Sequence, residues 1–84
     1  MSQRALSGRL SALPMNRPIV ICVNGEAREV PEGSSVEALV SALCLPRDAV
    51  AVERNARLVR KQERERTLLA AGDRIEIVTL VGGG

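Results

Sequence analysis

The chain has 84 residues, enough for one domain, and a chain of this size buries only about 60–65% of its unfolded surface. It contains no Trp, Tyr, Phe or His, so its core must be aliphatic, and both base-stacking platforms and the commonest general base and metal ligand are missing. A formal net charge of +2 is too small for a phosphate-tracking surface, which argues against nucleic acid as a partner.

Residues Met1 to Asn16 differ in composition from the rest of the chain. Arg4 and Arg9 stand among serines without any acid, and Leu6, Leu10 and Leu13 fall at i, i+4 and i+7. A short amphipathic helix and an organellar transit peptide are both compatible with this pattern. The segment is expected to be a flexible extension over residues 1–17, with Met15 as an alternative start and Pro14 and Pro18 setting it apart from the fold. No apolar run approaches the ~20 residues that span a bilayer, and no secretory h-region is visible. The expectation is a cytoplasmic protein with reduced thiols and no membrane partner.

Ile19 to Val23 is a continuous apolar run, the mark of a central strand. Asn24-Gly25 then signals a type I′ hairpin turn, because both residues tolerate positive φ. Glu26 to Val30 should return antiparallel as a more polar outer strand, ended by Pro31-Glu32-Gly33. The run Ser34-Ser35-Val36-Glu37 fits a capping box, with Ser34 as the expected cap, Ser35 its substitute, and Glu37 reaching back. Val36, Leu39, Val40 and Leu43 make one apolar stripe of a helix of about ten residues, stopped by Leu45-Pro46.

Ala49 to Glu53 reads as a third strand, Asn55-Ala56 as a turn, and Arg57 to Arg60 as a short fourth strand. Lys61 to Arg66 is wholly charged or amide and is expected to be a solvated loop or a 3₁₀ turn. After Ala71-Gly72-Asp73, Arg74 to Val81 forms a last strand rich in β-branched residues, followed by Gly82-Gly83-Gly84. The two most apolar strands should lie side by side and parallel at the sheet centre, joined through the helix crossover. That arrangement is a β-grasp: α+β, a mixed four- to five-stranded sheet with one main helix on one face.

Three glycines without side chains are mobile when unpartnered, and most short glycine tails simply fray. A bare tail can also thread a narrow tunnel and present an α-carboxylate to another protein's active site. Cys22 and Cys44 lie far apart without metal-ligand spacing, and no metal site is expected. Both thiols read as small hydrophobes rather than sulfur relays. The inventory of carboxylates, arginines, hydroxyls and one lysine, Lys61, is a poor kit for an enzyme acting alone.

The segments Ile21-Cys22-Val23-Asn24-Gly25-Glu26, Val52-Glu53-Arg54-Asn55, Ala71-Gly72-Asp73 and Ile75-Glu76-Ile77-Val78, with Val81-Gly82-Gly83-Gly84 after them, are together similar to the ThiS family, the ubiquitin-like sulfur carriers of thiamine biosynthesis. The resemblance covers Ile19 to Gly84. It implies that the Gly84 carboxylate is adenylated, with ATP, by a ThiF-type adenylyltransferase similar to ubiquitin-activating enzymes. The terminus then becomes a thiocarboxylate with sulfur from a system such as a cysteine desulfurase, and a ThiG-type thiazole synthase takes the sulfur for the thiazole of thiamine. No cofactor is bound stably. Gly82 and Gly83 thread the partner. The small subunit of molybdopterin synthase shares the fold and a Gly-Gly end, but Thr79-Leu80-Val81 stands where that family tends to carry aromatic and proline residues. A non-catalytic ubiquitin-like binding module is the alternative from another class.

Residues 18–81 are thus expected as the folded domain and 82–84 as a flexible tail. In the last strand Glu76, Val78 and Leu80 share the solvent face. Val20 and Cys22 are expected beside them on the neighbouring strand, so that Val20, Cys22, Val78 and Leu80 form one partner-docking patch at the root of the tail.

Overall fold

The computed structural model describes residues 17–80. Five strands are present among these residues: β1 (Pro18–Val23), β2 (Glu26–Pro31), β3 (Val50–Arg54), β4 (Arg57–Val59) and β5 (Arg74–Thr79). The helix α1 (Val36–Ala42) lies between β2 and β3. The strands form one mixed sheet in the order β2-β1-β5-β3-β4. β5 is central, parallel to β1 and antiparallel to β3, as the apolar runs require of a β-grasp. The two outer pairs, β1–β2 and β3–β4, are antiparallel hairpins.

Alternation along each strand sends one set of side chains toward α1. Ile21, Val52, Ile75 and Ile77 meet Val36, Leu39 and Val40 of the helix in a single buried cluster, with Leu69 closing one side. Every member of the cluster is Ile, Leu or Val, as a chain without aromatic residues demands. Full burial of one such side chain stabilises by about 1.5–3 kcal/mol, so a core this small leaves polar anchors a real share of the stability.

The helix is seven residues long, shorter than its apolar stripe suggests. Its N-cap is Ser35, not Ser34: the Ser35 hydroxyl accepts the Ala38 N–H at 3.0 Å, while the Ser34 hydroxyl donates to the Pro31 carbonyl. With the cap moved by one residue, Glu37 is too early to close a capping box. Its carboxylate turns instead to Arg47, 3.1 Å away. At the other end the Leu45 N–H reaches the Val40 carbonyl and the Cys44 N–H reaches Ser41, a Schellman closure. Cys44 occupies its left-handed position at φ +58 and is exposed, so this thiol is a surface group rather than a core hydrophobe.

The charged stretch after β4 is not uniformly solvated. Lys61–Glu63 is a 3₁₀ turn, and exposed Lys61 pairs with Asp48 of the 3₁₀ turn Arg47–Ala49. Arg64, by contrast, is only 3% exposed. Its guanidinium donates to the carbonyls of Arg47 and Val50, each at 2.8 Å, and thereby ties the connector to the entry of β3. All five strands differ by a residue or two from their sequence patterns: β1 begins at Pro18, β2 runs to Pro31 and β4 stops at Val59. β3 begins at Val50 and runs on to Arg54, and β5 ends at Thr79.

Candidate functional site

β5 sets the geometry of the site. Ile75 and Ile77 point into the core, while Glu76, Val78 and Leu80 lie on the opposite, open face of the sheet. Beyond the strand, the Leu80 N–H still donates to the Ala49 carbonyl at 2.6 Å, so the chain remains extended alongside β3 up to Leu80. Val81 and the three candidate tail residues Gly82, Gly83 and Gly84 lie outside the described residues, as do residues 1–16 of the extension expected over residues 1–17.

The four residues expected to form one patch share the open face but do not meet. Cys22 is level with Arg74, and the Gly72 N–H donates to the Val20 carbonyl. Val78 is four residues further along β5, about 13 Å at roughly 3.3 Å per residue. Val20 and half-buried Cys22 therefore belong to the far end of the sheet from the tail. The neighbours of Val78 are on the other side, in β3 and β4. Ala51 stands directly opposite Val78, and Leu58 lies one row away, opposite Glu53. Val78 and Leu80 are 59% and 52% exposed and form the apolar surface at the end of β5, while Leu58, 63% exposed, lies two strands away beside Glu53.

Glu53 and Glu76 face each other across the β3–β5 pair, a like-charge juxtaposition on the border of this surface. They also line a shallow depression of about 420 Å³ with Asn55, Ala56 and Arg74.

Two asparagines hold β5 in place from its two sides. β1 turns away at Asn24, leaving the backbone of Ile77 without a strand partner. The Asn24 carboxamide takes that place: it donates to the Ile77 carbonyl at 3.1 Å and accepts the Ile77 N–H at 2.8 Å. On the β3 side, Asn55 accepts the Arg74 N–H at 2.9 Å and donates to the Asp73 carboxylate at 3.1 Å. Asp73 is 6% exposed and also accepts from Arg54 Nε and the Ala70 N–H, each at 2.8 Å. Burial is the largest single influence on this carboxyl and pushes its pKa up. The hydrogen bonds from Ala70, Arg54 and Asn55, with the Arg54 charge, outweigh burial and hold it below the usual carboxylate value.

The ThiS family model matches residues 19–84, a span that takes in the hairpin, Val52 to Asn55, Ala71 to Asp73 and the terminal glycines. The chain belongs to the ThiS family. Among solved structures, it is similar to the crystal structure of a thiamine biosynthesis protein (ThiS) from Geobacter metallireducens, with 30% identity and a TM-score of 0.68 over 79% of this chain and 100% of that one. It is 39% identical over 64 residues to a thiazole synthase of Paramagnetospirillum magneticum, 76% of this chain but 20% of that protein. A thiazole synthase of Magnetococcus marinus matches at 36% identity, again over 20% of its length. This ThiS-family chain therefore spans about a fifth of those two relatives. The protein ycf40 of Porphyra purpurea is 33% identical across 99% of its own length.

Membership gives the asparagine and aspartate positions a physical reading. Val52-Glu53-Arg54-Asn55 and Ala71-Gly72-Asp73, two of the motifs that carry the sequence resemblance, are the two halves of one hydrogen-bonded corner. They fix the start of β5. No helix among the described residues is long and apolar enough to cross a membrane.

Proposed function

We propose that this chain is a sulfur carrier of thiamine biosynthesis whose reacting atom is the carboxylate carbon of Gly84. An α-carboxyl has a pKa of about 3.5, so near neutral pH it is an anion that repels nucleophiles. A ThiF-type enzyme attaches AMP from ATP to that carboxylate and releases pyrophosphate. The terminal sulfur of a persulfide, supplied by a system such as a cysteine desulfurase, attacks the acyl carbon and AMP leaves. A second thiol then cleaves the resulting acyl disulfide, forming a disulfide with the cysteine that carried the persulfide and releasing the thiocarboxylate. A thiazole synthase then takes the sulfur for the thiazole ring. The chain itself is a co-substrate, and these partners supply the catalytic groups.

The single observation that carries this reading is the family match running through Gly82-Gly83-Gly84 to the last residue. The thiazole synthase names of two relatives favour the thiazole branch over a role in molybdopterin synthesis. The fold supplies what a carrier needs: a central strand anchored on both sides that precedes the glycines in the chain, with exposed apolar Val78 and Leu80 at its end.

Intact-mass measurement after incubation with a ThiF-type enzyme, ATP, a cysteine desulfurase with cysteine, and a thiol reductant tests the proposal. The expected result is a mass gain of one oxygen-to-sulfur exchange at Gly84, retained by Cys22→Ser and Cys44→Ser. Deleting Gly84 abolishes the gain and leaves the thermal unfolding of the domain unchanged. A gain that follows either cysteine, or that survives the deletion, overturns the reading.

A further inference from the structure

We propose that the β1-facing edge of β5 at Thr79 is a docking slot that pairs with an extended backbone segment of the thiazole synthase. The proposal rests on the carrier reading and adds the contact by which the tail is seated.

Backbone direction alternates along β5. The N–H of Leu80 and the carbonyl of Arg74 are engaged toward β3, with Ala49 and Asn55. The odd-numbered residues therefore direct their backbone groups the other way, toward β1. Ile75 finds the Asn24 N–H there, and Ile77 finds the Asn24 carboxamide. Thr79 is next in the series. β1 has already turned back into β2 at Asn24-Gly25, and among the described residues no backbone hydrogen bond reaches Thr79 on that side. Thr79 is exposed, and the bond from Leu80 to Ala49 keeps this last stretch extended.

The chemistry of the slot identifies its occupant. A donor and an acceptor on one extended residue are matched by another extended backbone, the pairing mode of strand addition. At Ile77 a side-chain amide, which imitates a peptide group, already fills the equivalent place. Position argues for the same partner. An enzyme that accepts Gly82 to Gly84 must lie against the chain beyond Thr79. Of the two that do so in the carrier reading, the thiazole synthase is favoured because two relatives of that name carry a stretch matching this chain within their own length.

Amide hydrogen exchange read residue by residue provides the test, on the full chain alone and in complex with a thiazole synthase. In the free chain the Thr79 amide should exchange fast while Leu80 is protected through Ala49. In the complex Thr79 should become protected by about tenfold or more, the worth of one well-made backbone hydrogen bond of ~1.4 kcal/mol. Thr79→Pro removes the N–H without removing a bond of the free fold, and should weaken binding to the synthase by a similar factor. A complex in which Thr79 still exchanges fast overturns the proposal even if the proline variant misfolds. Sulfur uptake at Gly84 by the wild-type chain is followed in parallel. Normal uptake with an unprotected Thr79 rejects the slot alone, whereas no uptake and no complex reject the slot and the carrier reading together.

Discussion

The two hairpin turns are built alike and do different work. Asn24-Gly25 and Asn55-Ala56 both place two residues at positive φ, 49 and 87 in the first and 53 and 71 in the second. Each asparagine then turns its carboxamide onto the same strand, β5, from opposite sides and at opposite ends. Asn55 acts within a corner: its partner Asp73 is also held by Arg54 and Ala70, so the start of β5 is fixed by several bonds sharing one carboxylate. Asn24 acts alone at Ile77, two residues before the strand ends. The strand that leads to the tail is thus held by a carboxylate-centred corner where it begins, whereas near its end it stays paired with β3 and is held on its β1 side by one carboxamide. In the carrier reading proposed above, such a gradient suits an element whose far end engages partners.

The largest effect should come from the corner. Asp73→Ala leaves Arg54, Asn55 and the Ala70 N–H without their acceptor and should cost about 2–3 kcal/mol in a urea titration, less than a fully buried ion pair because Arg54 remains partly exposed. The same carboxylate sets a pH dependence. Its folded pKa lies below the unfolded value, so its contribution is fully present above the unfolded pKa of about 4 and is lost as pH falls through the folded value. Asp73→Asn should flatten that acid limb of the stability curve. An unchanged limb would place the fixed end of β5 elsewhere.

Asn24→Ala should have the next largest effect. It leaves the Ile77 N–H and carbonyl without a partner and forces alanine into a left-handed turn, for a loss of about 2 kcal/mol. Asn24→Gly relieves the turn and should recover part of that, leaving about 1 kcal/mol for the carboxamide. If Asn24→Gly proves neutral, the one anchor on the β1 side of the end of β5 contributes nothing and the contrast between the two ends fails.

Much of this was legible in the sequence. The apolar runs at Ile19 to Val23 and Ile75 to Val78 place β1 and β5 together, and Asn24-Gly25 announces its turn, because hydrophobic period and positive φ are local properties. The stapling by Asn24 was not legible, since its partner Ile77 is 53 residues away and the amide acts there as a stand-in for backbone. Arg64 was hidden by its neighbours: inside a run of charged residues nothing marks the one whose guanidinium is buried against the carbonyls of Arg47 and Val50. The expected docking patch separated for a geometric reason. Side-chain parity gives the face of a strand, and it gave the correct face for Val20, Cys22, Val78 and Leu80. It says nothing about the stagger of a parallel pair, and that stagger sets Cys22 level with Arg74 rather than Val78. The helix cap erred by one residue because two adjacent serines, Ser34 and Ser35, satisfy the same pattern.

The smallest expected effect is the cleanest comparison of the two turns. At their second position one carries Gly25 and the other Ala56, at φ 87 and 71. Left-handed backbone crowds a Cβ against the following carbonyl, so Ala56→Gly should raise stability by about 0.5–1 kcal/mol, net of glycine's larger entropy in the unfolded chain. Gly25→Ala is the mirror experiment. A Cβ at Gly25 meets nothing within 4 Å, so only the backbone conformation opposes it, and a loss of similar size is expected. Equal and opposite changes, measured as shifts of the denaturation midpoint at constant m-value, would show that the turns differ only in this residue and that the asymmetry of β5 comes from what the asparagines bond. If Ala56→Gly gains nothing while Gly25→Ala loses, the Asp73 corner already dictates the second turn, and β5 is held at its start more firmly than its hydrogen bonds alone imply.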